Sequence, residues 1–315
     1  MRSLVRAALH AGRRESSEPG VALDAVADAV HRLAVLLSAG IEPLAAVRLL
    51  AEDGPLARAA EAASPLEVPE AIIAGCATEP DAARRGWRHL AACWAVATET
   101  GAPLASVLER AADTLRALAD ADRQIDLALS GPLATARIVG LLPLAGVLLA
   151  LLIGADPVGA VVGTVPGAVA TVLGVAALAA GIRWTRRLVA AARVVDPLAG
   201  LGHELLALAM AGGAAPAAAQ RRVEQAAARC GLTLSVADAR VTLDFAARAG
   251  VPAGALLRAE ASRARRLALA DVLRRAALLG SRLLAPLGLC FLPAFVLLGV
   301  VPLMIGILRG ALAAF

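Results

Sequence analysis

Leu283 to Leu308 reads LLAPLGLCFLPAFVLLGVVPLMIGIL, 26 residues without a charged side chain, bounded by Arg282 and Arg309. About 20 apolar residues suffice to cross a bilayer as a helix. Pro286, Pro293 and Pro302 fall inside the run, so kinks are expected in it. Working outward, a second apolar tract lies between Arg137 and Arg183, where 45 residues contain one charge, Asp156. Gly154-Ala155-Asp156-Pro157 reads as a tight turn within it. The tract therefore predicts two spans, Ile138 to Ile153 and Val161 to Ile182. Buried helices of soluble proteins usually keep a polar stripe, so a soluble bundle is the poorer reading.

The whole chain has 315 residues, of which 59% are hydrophobic but only 2% aromatic, with no Tyr. Its apolar mass is Ala, Leu and Val, which favours helix. All 31 basic residues are Arg. A Walker A phosphate loop needs a Lys before its Ser or Thr, so a P-loop ATPase is excluded. Cys76, Cys93, Cys230 and Cys290 form no CxxC pair and read as buried small hydrophobes in a reducing compartment. His10, His31, His89 and His203 show no HExxH or HxH spacing, and no GxSxG elbow occurs. No catalytic residue, metal site or cofactor is expected. Met1 to Gly20 carries four Arg without a following apolar core, so a cleaved secretory signal is not expected.

Arginine placement sets an orientation. Residues 1–137 hold 14 Arg against 18 acidic residues, net −4; residues 183–282 hold 16 against 7, net +9. The turn at Asp156 has no Arg. The positive-inside rule puts both large segments in the cytoplasm and the Asp156 turn and C-terminus outside.

The two cytoplasmic segments resemble each other. Gly101 and Gly250, Pro103 and Pro252, Leu108 and Leu257, and Gly131 and Gly280 are each 149 residues apart. His31 to Gly40 aligns with His203 to Gly212 at an offset of 172, and the first copy carries an insertion near 63–80. Gly ends a helix in the left-handed conformation, and Pro shortly after opens the next. Gly40, Pro43, Gly101, Pro103, Gly212, Gly250 and Pro252 are the expected turn residues. The second copy departs from the first, with Gly212-Gly213-Ala214-Ala215-Pro216 holding an extra residue before Pro.

The expected fold is an all-α integral membrane protein with two cytoplasmic antiparallel helical bundles and three transmembrane helices. Its parts are a lead-in (1–29), bundle one (30–132), two spans (133–183), bundle two (184–282), a third span (283–309) and a tail (310–315).

Two stretches, Leu33 to Val47 (LAVLLSAGIEPLAAV) and Thr98 to Glu109 (TETGAPLASVLE), resemble the type II secretion system F family. These are inner-membrane platform proteins of type II secretion, type IV pilus and tight-adherence pilus machines. The resemblance covers about Val30 to Leu308. It implies a six-helix domain with a Gly-x-Pro turn at its middle. It also implies a non-enzymatic role coupling a cytoplasmic ATPase to pilins, with other platform subunits and lipids as neighbours. The chain then reads as a fused platform pair or as one two-domain platform. Asp113, Asp120, Asp122, Arg263, Arg265, Arg266, Arg274 and Arg275 are the candidate partner or lipid contacts; the arginines suit anionic headgroups. Nucleic acid is not expected, because no aromatic residues accompany the basic run. The alternative is a small permease or channel subunit. The spans hold no ionisable residue, whereas transport pathways usually do.

Overall fold

The computed structural model describes residues 19–51, 54–152, 165–192, 198–234, 236–302 and 304–305. Among them the secondary structure is helical throughout, without a strand. The helices are α1 (Pro19–Ser38), α2 (Pro43–Leu49), α3 (Pro55–Ala59), α4 (Val68–Gly75), α5 (Asp81–Thr100), α6 (Leu104–Leu152), α7 (Val165–Ala192), α8 (Leu201–Ala211), α9 (Pro216–Arg229), α10 (Ala237–Ala249) and α11 (Ala253–Pro286). Helical backbone continues after α11 to Val300.

Two compact units divide the chain: unit 1 is 1–124 with 196–269, and unit 2 is 125–195 with 270–315. In unit 1 the expected bundles share one core. Leu33, Val47, Trp94 and Leu108 from the first segment join Leu205, Leu206, Val223 and Leu257 from the second. The physical reason is that neither segment closes alone. The middle of α5, Leu90 to Ala97, is apolar and buried on every side, and α8 and α9 pack on the helix together with α1 and α4.

The lead-in expected to residue 29 is shorter. α1 begins at Pro19 and already buries Leu23, Val26 and Ala27. Its apolar residues recur at helical spacing into Val30 and Leu33, so burial holds the extra turns in place. Residues 1–18 lie outside the described residues.

The turns have the expected chemistry, with one correction. Gly40, Gly101 and Gly250 are left-handed, at φ 87°, 72° and 66°. After Gly101 and Gly250 the next amide reaches back five residues, Ala102 to Ala97 O at 3.0 Å and Val251 to Ala246 O at 3.2 Å. Pro43 and Pro216 open α2 and α9; Pro103 and Pro252 precede α6 and α11. Gly212, however, is right-handed at φ −77°, and the left-handed residue is Gly213 at φ 85°. Gly213 precedes Pro216 by three positions, as Gly40 precedes Pro43. No residue is therefore extra before Pro216: Gly212 holds the place of Ala39, and close packing accounts for a glycine there. A Cβ there would lie well inside 3.0 Å of the Thr100 carbonyl oxygen at the end of α5.

Unit 2 holds the apolar tracts. Among the described residues two helices are long and apolar enough to cross a membrane, α7 and the 48-residue run Ala253–Val300. The first expected span, 138–153, falls on the end of α6, whose backbone is helical through Leu152; Ile153 and the Asp156 turn lie outside the described residues. α7 buries Gly167, Ala170, Gly174 and Gly181 along one side. Cβ atoms at Gly174 and Gly181 would lie 2.6 Å from Leu298 Cγ and 3.0 Å from Cys290 Cβ. Glycine thus lets the two helices approach closely, as in membrane helix pairs. Outward, Val165, Val172, Leu284 and Leu289 are exposed at 79%, 68%, 64% and 70%, a surface suited to hydrocarbon.

The expected proline kinks take a specific form. Leu287–Phe291 and Val296–Val300 are π-helical, with Leu292 N–H donating to Leu287 O and Val301 N–H to Val296 O. Pro293 lies between them, lacks an N–H and crowds the carbonyl four residues back. Widened turns relieve that conflict.

The two glycines make different demands on substitution. Gly213→Ala meets open space and costs only the left-handed strain, about 1 kcal/mol. Gly212→Ala must push α8 off α5 and costs about 1–3 kcal/mol. Thermal unfolding in detergent checks this; a Gly212→Ala protein as stable as wild type would refute the close approach.

Candidate partner and lipid interface

The acidic candidates lie on α6 and are engaged within unit 1. Arg116 pairs with Asp113 at 3.3 Å and with Asp28 of α1 at 3.7 Å. Arg123 pairs with Asp120 and with Asp24 of α1. Two Asp–Arg–Asp triads thus clip α6 to α1, each with one negative charge in excess. Asp122 faces Arg85 of α5 at 3.8 Å. The triads are solvent-exposed, so each pair is worth no more than about 1 kcal/mol. Their excess charge still suits a cationic partner.

The basic candidates on α11 separate into different roles. Arg263 is exposed and pairs with Glu260 at 3.4 Å. Arg266 and Arg274 are exposed. Arg275 pairs with Asp271 at 2.8 Å and donates to the Ala191 carbonyl at 3.5 Å, closing the last turn of α7. Arg265 turns inward. Its Nη1 donates to Glu204 Oε2 at 2.7 Å, and Thr114 Oγ1 donates to Glu204 Oε1 at 2.9 Å. The sequence had placed Arg265 with the surface contacts; here it belongs to a buried network.

Glu204 is the residue that reading by motif missed. It sits in LGHELLALAMA, α8, and is 7% exposed. A carboxylate inside an otherwise apolar helix was the available signal. It ties α8 to α6 through Thr114 and to α11 through Arg265. His89 on α5 feels its charge. Burial holds the His89 imidazole below its usual pKa, with Glu204 opposing that shift. His89 Nε2 has no hydrogen-bond partner among the described residues.

Cys76, Cys93, Cys230 and Cys290 are unpaired. Burial pushes Cys93 well up and Cys230 to about 11, so both are thiols at neutral pH and poor nucleophiles. Among the described residues no group of three or more His, Cys, Asp or Glu is placed to hold a metal.

Unit 2 adds two surface features. Arg183, Arg186 and Arg187 on α7 line an open groove with Ala179, Ile182 and Ala190. Trp184 beside them is 38% exposed, as in the aromatic belts of membrane interfaces. A cavity of about 230 Å³ lies between Thr135, Thr185, Gly280, Leu283, Leu284, Leu287 and Phe291, mostly apolar.

The described residues are helical, and two of their helices are long and apolar enough to cross a membrane. Residues 29–152 match the family model described as "Type II secretion system (T2SS), protein F". Over those residues, less than half of the chain, it is similar to the type II secretion system F family. The second segment lies outside the matched range. No curated protein and no solved structure matches the chain.

Removing Glu204 alone strands Arg265. Glu204→Ala is expected to cost about 3–5 kcal/mol, while Glu204→Leu with Arg265→Leu costs much less. Equal losses in detergent melting curves would mean the charges are not coupled.

His89 sets a pH dependence. Its folded pKa lies below the unfolded value of about 6.5, so the unfolded chain binds the extra proton within that window. Stability therefore falls as pH falls below about 6.5, by at most about 1.4 kcal/mol per pH unit. Melting temperature against pH should flatten in His89→Gln; an unchanged slope would assign the effect elsewhere.

Proposed function

We propose that the chain is an inner-membrane platform protein of a pilus or type II secretion assembly machine. It couples a cytoplasmic ATPase to pilin extraction and filament growth, as a scaffold and not an enzyme. In this reading the N-terminus and both helical segments are cytoplasmic. Three helices cross the membrane and the C-terminus is external. The basic groove of α7 and the exposed arginines of α11 rest on anionic headgroups.

The observation that carries the reading is the continuity of α6. The family domain's last helix runs unbroken from Leu104 in the core of unit 1 to Leu152 in the apolar tract. A hydrogen-bonded helix is stiff, so displacement at one end is passed along it. Glu204 bonds both α6 and α11, so the two long helices respond together.

The same reading takes the two segments as copies of one domain. The element bounds support this. Ser38 and Ala211 end helices, and Pro43 and Pro216 begin them, each pair 173 residues apart. Thr100 and Ala249 end helices, and Leu104 and Ala253 begin them, each pair 149 apart.

Affinity purification from membranes of the native host is expected to co-elute a secretion ATPase. Reversing Asp113 and Asp120 to Arg should abolish filament assembly while the protein stays in the membrane. Normal filaments in that variant would remove these acids from docking. Solute flux through liposomes holding the chain alone, with no ATPase recovered, would favour the channel alternative instead.

A further inference from the structure

α5 and α10 occupy matching places in the two copies, 149 residues apart, yet they are buried differently. Leu90, Trp94 and Ala97 are buried, and so are their counterparts Ala239, Leu243 and Ala246. That is the face each helix turns to its own copy. A second face differs. Ala92 and Val96 are fully buried, whereas their counterparts Val241 and Phe245 are 73% and 52% exposed. Phe245 is one of four Phe in the chain.

What covers this face in the first copy is the second copy. Arg222 Nη1 donates to the Glu99 carbonyl at 3.3 Å. Arg229 pairs with Glu99, and with Glu70 at 3.9 Å. Gly212 presses on Thr100, and Gly231 lies beside Arg88. Residues 88, 92, 96 and 99 share one side of a helix at 3.6 residues per turn, so Ala92 and Val96 sit at the centre of the contact.

The opposing surface shows the same asymmetry. Leu205 and Leu208 of α8 are 0% and 4% exposed, on the side that ends at Gly212. Their counterparts 173 residues earlier, Arg32 and Val35, are exposed, Val35 at 51%. Each half of the internal interface therefore recurs, uncovered, at the opposite end of the two-copy unit.

We infer that the Val241–Phe245 face of α10 docks the Arg32–Val35 face of α1 on a second copy of this chain, continuing the internal interface head to tail. The inference rests on the duplication proposed above and not on the platform role. Asp244, in place of Ala95, is opposite in charge to Arg32, in place of Leu205, while Arg248 stands in place of Glu99 on the same face of α10. Ala39 stands where Gly212 stands, so the methyl group keeps the intermolecular approach looser than the internal one. A head-to-tail contact is heterologous, so it closes into a ring or extends as a filament and does not form a two-fold dimer.

Disulfide trapping between full-length chains in membranes tests it. Glu204 lies near His89 and Gly212 meets Thr100; Leu208 is midway between them on the same side of α8, which makes Val35 and Phe245 the expected neighbours. In a Cys290→Ala background, chains carrying Val35→Cys are co-expressed with chains carrying Phe245→Cys and then oxidised. The expected result is a linked dimer in the mixture and none from either variant alone. Phe245→Asp should reduce the detergent-solubilised particle to a single chain, with helicity and melting temperature unchanged. Self-linking of either single variant indicates a two-fold contact and overturns the inference. So does an unlinked mixture whose particle mass is insensitive to Phe245→Asp, or a link from Phe245→Cys to a different protein. Loss of helicity in Phe245→Asp would place Phe245 in the fold and likewise overturn it. The duplication itself stands apart from this outcome, because it rests on helix bounds and turn geometry.

Discussion

The packing of α8 and α9 on α5 is the contact on which unit 1 depends. The middle of α5, Leu90 to Ala97, is apolar on every side, and a segment of that kind has no stable place except inside a core. The first segment alone does not enclose it. The second segment supplies the missing wall, and the close approach of Gly212 to the Thr100 carbonyl sets how near that wall can come. The arginines of α9 then close the end of α5, where carbonyls lack helical partners and attract positive charge.

Burial of Glu204 follows from that packing. Once α8 lies between α5, α6 and α11, its one carboxylate is removed from water and must be paired. Arg265 and Thr114 do so from the two helices that lead toward the apolar tracts. Such an ion pair contributes little net stability, because desolvation offsets most of the attraction. It does penalise any arrangement in which α6 and α11 shift relative to α8. His89, neutral and buried beside it, adds a proton-sensitive element to the same core.

Unit 2 follows another logic. Side chains gain nothing by leaving lipid for protein when both are apolar, so helix contact comes from close packing. Glycines at 167, 174 and 181 provide that on α7, and the π-helical turns around Pro293 fit the facing helix to them. The large apolar residues point outward.

Much of this was legible in the sequence, because it depends on local chemistry. Charge-free runs flanked by Arg mark the membrane tracts whatever their partners. Gly followed by Pro fixes where helices stop and restart, as at Gly40–Pro43, Gly101–Pro103 and Gly250–Pro252. Tertiary structure decided what depends on residues far apart in the chain. Whether Gly212 or Gly213 takes the left-handed turn depends on the Thr100 carbonyl more than 100 positions away. Whether Arg265 faces lipid or Glu204 depends on how α8 meets α11. Whether two similar segments form two bundles or one core depends on whether each can bury its own apolar faces, and α5 cannot. Periodicity tells which face of a helix is apolar; only the fold tells what covers it, and on α10 Val241 and Phe245 stay exposed among the described residues.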